Sequence, residues 1–93
     1  MKSIETLRKN RETIREEINE NLDFVMGSVS TKGPSRPGLN LTFKINQVTR
    51  TRHIRKEHEL QVKQMTARWR RLRRLLHDLS DVNWELLNRE LFF

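Results

Sequence analysis

All three glycines and both prolines of this 93-residue chain lie between residues 27 and 38. Glycine and proline interrupt helices and strands alike, so this stretch predicts a loop that divides the chain. The segment before it, residues 3–25, predicts a helix with Ser3 as its N-terminal cap. Its apolar residues follow a heptad stripe that Arg11 and Asn21 interrupt. They are Ile4, Leu7, Ile14, Ile18 and Val25.

After the loop, residues 39–55 alternate between apolar and polar side chains. The apolar positions of the first half are Leu39, Leu41, Phe43 and Ile45. A period of two predicts a strand with one buried face. Asn46-Gln47 predicts a tight turn, and residues 48–55 predict a returning strand. We therefore expect a β-hairpin that needs a helix to cover it.

Residues 57–79 predict a second long helix, because apolar side chains keep an unbroken a/d spacing. The stripe consists of Val62, Met65, Trp69, Leu72, Leu76 and Leu79, with Leu75 beside it. Ser80 or Asp81 can then cap a short helix over residues 81–91. The apolar run Leu91-Phe92-Phe93 favours docking on the bundle or insertion into a partner.

These elements predict a mainly α fold. A long antiparallel, coiled-coil-like pair of helices flanks a β-hairpin, and a short C-terminal helix follows. A chain of this length forms one small domain, residues 1–93. Only 34% of the residues are apolar, so we expect marginal stability and support from a larger protein or from self-association.

The positive charge is concentrated in the middle of the chain. The net charge is +7, from 19 Lys/Arg against 12 Asp/Glu, which favours nucleic acid, an anionic membrane or an acidic protein as partner. Residues 27–56 hold seven cations and no acid, so this segment carries the whole excess. A nearly neutral helical frame around an acid-free segment is typical of an element that contacts phosphates.

The cations of this segment form the first predicted nucleic-acid site. Arg50 and Arg52 are two residues apart, so both point to one face of the predicted strand. A two-stranded ribbon can enter a major groove or follow an RNA backbone, and the Gly/Pro loop can approach phosphates through its amides. The alternative is an edge hairpin that charge keeps soluble. The predicted contacts are Lys44, Arg50, Arg52, Arg55 and Lys56 in the hairpin, with Lys32 and Arg36 in the loop.

An arginine cluster in the second helix forms the second predicted site. Arginine offers forked donors to phosphate oxygens, as a helix that tracks phosphates requires. The alternative is ion pairing with the first helix, which carries Glu12, Glu16, Glu17 and Glu20. The cluster comprises Arg68, Arg70, Arg71, Arg73 and Arg74.

The sequence argues against an enzyme, a metal site and a cofactor. There is no cysteine, and His53, His58 and His77 lack ligand spacing. No nucleophile–base set and no Gly-rich phosphate motif is present, and so short a chain offers little pocket for a small-molecule substrate.

Trp69 and Trp84 lie at core spacing, which favours packing over base stacking. No apolar stretch approaches the roughly 18 residues of a transmembrane helix, so we expect no membrane partner and a cytoplasmic location on the nucleoid or a ribonucleoprotein.

Three segments resemble an uncharacterised family of small prokaryotic proteins found with transposases and other mobile elements. Val25-Met26-Gly27-Ser28-Val29 is similar to that family's apolar step out of the first helix. Residues 49–60 are similar to its hairpin strand and helix start, and residues 72–87 to its helix with a Leu-Ser break. The family has a cysteine-rich loop suggestive of a zinc or redox site, whereas residues 30–38 of this chain contain no cysteine.

We therefore expect a nucleic-acid-binding accessory subunit of a larger nucleoprotein complex, with the resemblance implying a mobile-element context. The charge pattern is consistent with DNA and with RNA. The alternatives are a coiled-coil adaptor whose charges give solubility and partner selection, and an inhibitor that acts on an acidic partner surface.

Overall fold

The computed structural model describes residues 2–89. In chain order its elements are α1 (Ile4–Glu20), β1 (Ser28–Thr31), β2 (Leu39–Ile45), β3 (Val48–Ile54) and α2 (Glu59–Asn88), and a 3-10 turn at Lys56–His58 precedes α2. This part of the chain divides into two compact units. We call residues 2–22 with 71–89 the helical unit and residues 23–70 the sheet unit. The apolar end Leu91-Phe92-Phe93 lies outside the described residues.

Side-chain caps define both ends of α1. The Ser3 hydroxyl accepts a hydrogen bond from the Thr6 backbone N–H at 3.2 Å, which satisfies one of the free donors of the first turn. The helix ends at Glu20, where the Asn21 side chain donates to the Glu17 carbonyl at 2.7 Å. Asparagine competes with the helix through such local hydrogen bonds, so it favours helix ends.

The helical unit is held by a small leucine core and by Arg89. Its buried side chains are Leu7 of α1 and Leu72, Leu75 and Leu86 of α2. Leu86 has no exposed surface, and full burial of a leucine stabilises a fold by about 1.5–3 kcal/mol. Arg89 donates to the Lys2 carbonyl at 2.7 Å and to Glu85 Oε1 at 3.0 Å. The arginine thereby joins the start of the described chain to the end of α2.

The sheet unit contains an antiparallel sheet in the order β1-β2-β3. Leu41 of β2 and Ile54 of β3 are buried, as is Thr66 of α2. The Thr66 hydroxyl donates to the Lys63 carbonyl at 3.1 Å, so this buried polar group is satisfied within its own helix.

Two contacts attach residues 23–26 to α2 within the sheet unit. The rings of Phe24 and Trp69 stack with centroids 5.3 Å apart and planes inclined by 14°. The Arg68 guanidinium donates to the Asp23 carbonyl at 2.9 Å. An offset stack of aromatic rings contributes about 0.5–1.5 kcal/mol beyond the area that it buries.

A glycine is required where the chain enters β1. Gly27 has φ +125°, and a Cβ atom at this position would lie 2.5 Å from the Thr42 carbonyl oxygen. Residues with side chains rarely adopt this φ, and the overlap is with backbone that cannot move aside. Gly27 therefore allows β1 to pair closely with β2.

The predicted antiparallel coiled-coil pair is wrong. Leu7 is the one buried side chain of α1, and Leu76, a predicted seam residue of α2, is 46% exposed. Residues 59–70 of α2 belong to the sheet unit, so only the rest of this helix shares a unit with α1. An a/d seam along both helices therefore does not form.

The predicted short C-terminal helix is also wrong, because α2 continues through Ser80 and Asp81 to Asn88. Serine and aspartate lower helix propensity by only about 0.7 kcal/mol or less each. No glycine or proline follows residue 38, so the chain contains no strong break there. At the other end, α1 stops at Glu20.

A third strand forms within the segment that the sequence predicts as loop. Ser28–Thr31 pairs antiparallel with residues 39–42 of β2. Its hydroxyl-rich sequence carries little hydrophobic signal, and a four-residue strand depends on the edge that it joins. The expected hairpin is therefore the inner part of a three-stranded sheet.

Candidate nucleic-acid interface

One face of the sheet is polar. Its side chains are Ser28 and Ser30 of β1, Asn40, Thr42 and Lys44 of β2, and Thr49, Thr51 and His53 of β3. The Ser30 and Thr42 hydroxyls lie 3.0 Å apart, and the Lys32 ammonium contacts Nδ1 of His53. Hydroxyl, amide and ammonium groups are among the side-chain groups that contact phosphate and sugar in nucleic-acid complexes.

The opposite face is apolar on β2, whereas on β3 it carries Arg50 and Arg52 between Val48 and Ile54. The register places Arg50 opposite Phe43 and Arg52 opposite Leu41. The Arg52 guanidinium lies over the Phe43 ring, 4.8 Å from its centroid, which is a cation–π contact. Arg52 therefore contributes to the packing of the sheet, whereas Arg50 has no such contact.

Residues 43–50 form a two-stranded ribbon that extends beyond β1. Strand β1 pairs with residues 39–42 of β2, whereas β3 pairs with residues 39–45. Every residue from 44 to 53 is exposed. The ribbon therefore presents both of its faces to solvent.

None of the seven cations in residues 27–56 forms an ion pair with any residue of the described chain, 2–89. Lys44, Arg50 and Arg52 lie along β2 and β3. The other four, Lys32, Arg36, Arg55 and Lys56, adjoin the opposite end of the sheet, where Thr31 pairs with Leu39 and Leu39 with Ile54. Six residues of strand separate this end from the turn, which corresponds to ~20 Å. The predicted hairpin and loop cations therefore lie on the strands of one sheet or directly beside its end.

The predicted arginine cluster is divided between the two units. Arg68 and Arg70 lie in the sheet unit, where Arg68 is half-buried by its bond to the Asp23 carbonyl. Arg71, Arg73 and Arg74 lie in the helical unit. Arg71 Nη2 is 3.9 Å from Glu17 Oε2, so the alternative of pairing with the first helix applies to this arginine. Exposed pairs of this length contribute little stability.

The sequence did not predict an exposed apolar stripe on α2. Leu76, Trp84 and Leu87 are 46%, 64% and 53% exposed and share one helix face by their spacing. The predicted core position of Trp84 is therefore wrong, while Trp69 is half-buried against Phe24. Heptad spacing alone does not distinguish a seam residue from its neighbour on a helix that buries few side chains.

The polar face of the sheet also escaped the sequence interpretation, although its signal was present. Asn40, Thr42 and Lys44 alternate with the apolar residues of β2, but only Lys44 is among the predicted contacts. The serines of β1 could not be assigned to a sheet face, because the sequence predicts a loop at these positions.

The described residues offer open depressions and no metal cluster. A groove of about 290 Å³ in the sheet unit is lined by apolar residues, Phe43 and Ile45 among them, and by Arg52. Residues 2–89 contain no group of three His, Cys, Asp or Glu side chains placed to hold a metal ion. Neither helix in this range is both long enough and apolar enough to cross a membrane.

Comparison with known proteins gives no match: no protein-family model, no curated protein and no solved structure is significantly similar to the chain.

Proposed function

We propose that the protein binds nucleic acid through the phosphate backbone and that the sheet unit provides the contact surface. The observation that carries this proposal is the set of seven cations in residues 27–56 that have no ion pair within the described chain. A segment with seven cations and no acid carries like-charge repulsion, and binding to a polyanion relieves that repulsion and releases the counterions of the polyanion.

The distribution of groups on the sheet supports a backbone contact rather than base stacking. The polar face carries hydroxyl, amide and ammonium groups and no Phe, Tyr or Trp side chain, and its one imidazole, His53, contacts the Lys32 ammonium. Phe43, on the other face, is covered by the Arg52 guanidinium. Proteins that bind single strands use exposed aromatic platforms, which this sheet does not present.

The protein acts as an accessory subunit of a larger nucleoprotein complex in this proposal. A small chain with few buried side chains gains stability from binding partners. The resemblance of three segments to small proteins that accompany transposases supports a mobile-element context for this complex, and we propose that the complex is cytoplasmic. The chain itself performs no catalysis and holds no cofactor in this role.

A charge-matched pair of variants tests the proposal. The sheet variant R50Q/R55Q/K56Q and the control variant K2Q/R8Q/K9Q each lose three exposed cations, the latter from the helical unit. Arg52 is left unchanged because it packs on Phe43. Fluorescence anisotropy with labelled duplex DNA and RNA is measured from ~50 to ~300 mM salt.

We expect the sheet variant to lose affinity about tenfold or more at ~100 mM salt, and its log–log salt slope to fall by up to ~2.7, since each phosphate contact contributes ~0.9. The control variant should stay within about threefold of the wild type. Equal losses in both variants would mean that only net charge matters, and an unchanged sheet variant would disprove the interface.

A second candidate function is protein interaction without nucleic acid, which the exposed stripe of Leu76, Trp84 and Leu87 favours. Apolar association is insensitive to salt, in contrast to phosphate binding. If this function holds, binding to a protein partner persists at ~1 M salt and is lost in the variant L76S/L87S.

A further inference from the structure

The ribbon ends in an exposed apolar pair. Ile45 and Val48 face each other across the turn and are 46% and 54% exposed. The rest of the described chain therefore leaves about half of each of these two apolar residues exposed. Exposed apolar residues at the end of a projecting, cationic element indicate contact with a partner.

The turn itself departs from the residue choice that its geometry favours. Asn46 and Gln47 have φ of 50° and 70°, and a two-residue turn with two positive φ angles favours glycine at its second position. Glutamine holds that strained position instead. A residue other than glycine in such a conformation costs folding free energy, and strained positions of this kind cluster at sites that contact ligands.

The flanks of the ribbon carry cations on both faces. Lys44 belongs to the polar face, and Arg50 and Arg52 belong to the opposite face. No acid lies anywhere in residues 27–56. A ribbon that enters a groove tip first would therefore present positive charge to both phosphate strands that border the groove.

We propose that the tip of the ribbon, residues 45–48, inserts into the minor groove of duplex DNA and bends it. This inference rests on the proposed backbone binding and assigns its nucleic acid. Proteins that bend DNA from the minor groove insert apolar side chains between base steps and read the groove with Arg, Lys, Asn or Gln. The tip combines an apolar pair with two exposed amide side chains and neighbouring cations.

Duplex DNA fits this tip better than duplex RNA does. The walls of the DNA minor groove are deoxyribose C–H surfaces, whereas the RNA minor groove is shallow and displays 2′-hydroxyls. Ile45 and Val48 would leave those hydroxyls without partners. A·T-rich DNA with TA steps is preferred, because these steps unstack easily and their minor groove lacks the guanine amino group.

Bending of an end-labelled duplex of ~30 base pairs, measured by energy transfer, tests the inference with the full chain. The tip variant I45T/V48T keeps β-branched side chains and all charges. The control variant L22T/L60T replaces two exposed apolar residues outside the ribbon, Leu22 and Leu60, which are 51% and 72% exposed. Anisotropy on the same duplex gives the affinity and the salt slope.

We expect the wild type and the control to increase energy transfer, as a bend of ~20–90° requires. The tip variant should lose most of this increase and about fivefold to tenfold in affinity, with an unchanged salt slope, because its cations remain. The variant Q47G should melt at a higher temperature than the wild type and bind an A·T-rich duplex more weakly.

These measurements separate insertion of the tip from binding to the phosphate backbone. Salt-dependent binding without bending, or bending that the tip variant retains, overturns insertion and leaves backbone binding in place. Tighter, tip-dependent binding to duplex RNA overturns the assignment to DNA. Absence of salt-dependent binding to any nucleic acid overturns both.

Discussion

The two units of the molecule differ in their balance of basic and acidic residues and in their ion pairs. The helical unit, residues 2–22 and 71–89, has nine Lys/Arg against eight Asp/Glu, whereas the sheet unit, residues 23–70, has ten against three. All the ion pairs found within the described chain lie in the helical unit, at Glu12, Glu17, Asp81 and Glu85. The sheet unit has none. One unit therefore neutralises its charge internally and the other leaves it for a partner.

This difference separates stability from function. Exposed ion pairs add little to folding free energy, so the helical unit depends mainly on its buried leucines. The sheet unit gains apolar packing from Leu41 and Ile54 but also carries unrelieved repulsion between its cations. Anything that binds only the folded sheet unit, such as a polyanion, should stabilise it by mass action.

Each unit contains one tryptophan, Trp84 in the helical unit and Trp69 in the sheet unit. Variants that keep only one tryptophan can therefore report on the unfolding of each unit separately.

The largest expected effect is on the helical unit. Replacement of the fully buried Leu86 by alanine should lower the unfolding free energy by about 2–5 kcal/mol, because it leaves a cavity in a small core. Replacement of its neighbour Leu87, which is 53% exposed, should cost only about 0.5 kcal/mol. Urea unfolding of both variants in the W69F background, followed by Trp84 fluorescence, gives the two values. Equal losses would show that Leu86 is not the centre of this core.

The second-largest expected effect is stabilisation of the sheet unit by bound nucleic acid. At a free duplex concentration of 100 times Kd, the unfolding free energy reported by Trp69 in the W84F background should rise by about 2.7 kcal/mol. The value reported by Trp84 in the W69F background should rise less, because the unpaired cations of residues 27–56 lie in the other unit. Equal rises at both tryptophans would contradict the separation of roles, and no rise at either would exclude binding to the folded state.

The sequence predicted local features better than it predicted packing. Alternation over residues 39–45 coincides with β2, and Ser3 caps α1, because both signals are carried by neighbouring residues. The charge map was equally accessible, since an acid-free segment is acid-free in any fold. The sequence did not show that Lys44 lies on the face opposite Arg50 and Arg52, because that requires the register between β2 and β3.

The predicted packing is wrong at α2, because this helix is divided between the two units. The heptad stripe of α2 predicts one seam, but residues 59–70 belong to the sheet unit and residues 71–89 to the helical unit. Periodicity cannot reveal such a division, because it reports only that a face is apolar. Strand β1 was missed for a related reason: its pairing to residues 39–42 is a long-range interaction with almost no local signal.

The smallest expected effect separates two kinds of ion pair within the helical unit. Arg89 is 19% exposed and bonds both Glu85 and the Lys2 carbonyl, whereas Arg15 pairs with Glu12 with both side chains more than half exposed. Replacement of Arg89 by alanine should lower the unfolding free energy by about 1.5 kcal/mol, because hydrogen bonds from a charged group to a carbonyl and a carboxylate are lost together. The same change at Arg15 should cost at most about 0.5 kcal/mol and should vanish at ~1 M salt. Urea unfolding followed by Trp84 fluorescence in the W69F background measures both. If Arg89 and Arg15 cost the same, the described start of the chain is not anchored by Arg89, and the helical unit depends on its leucines alone.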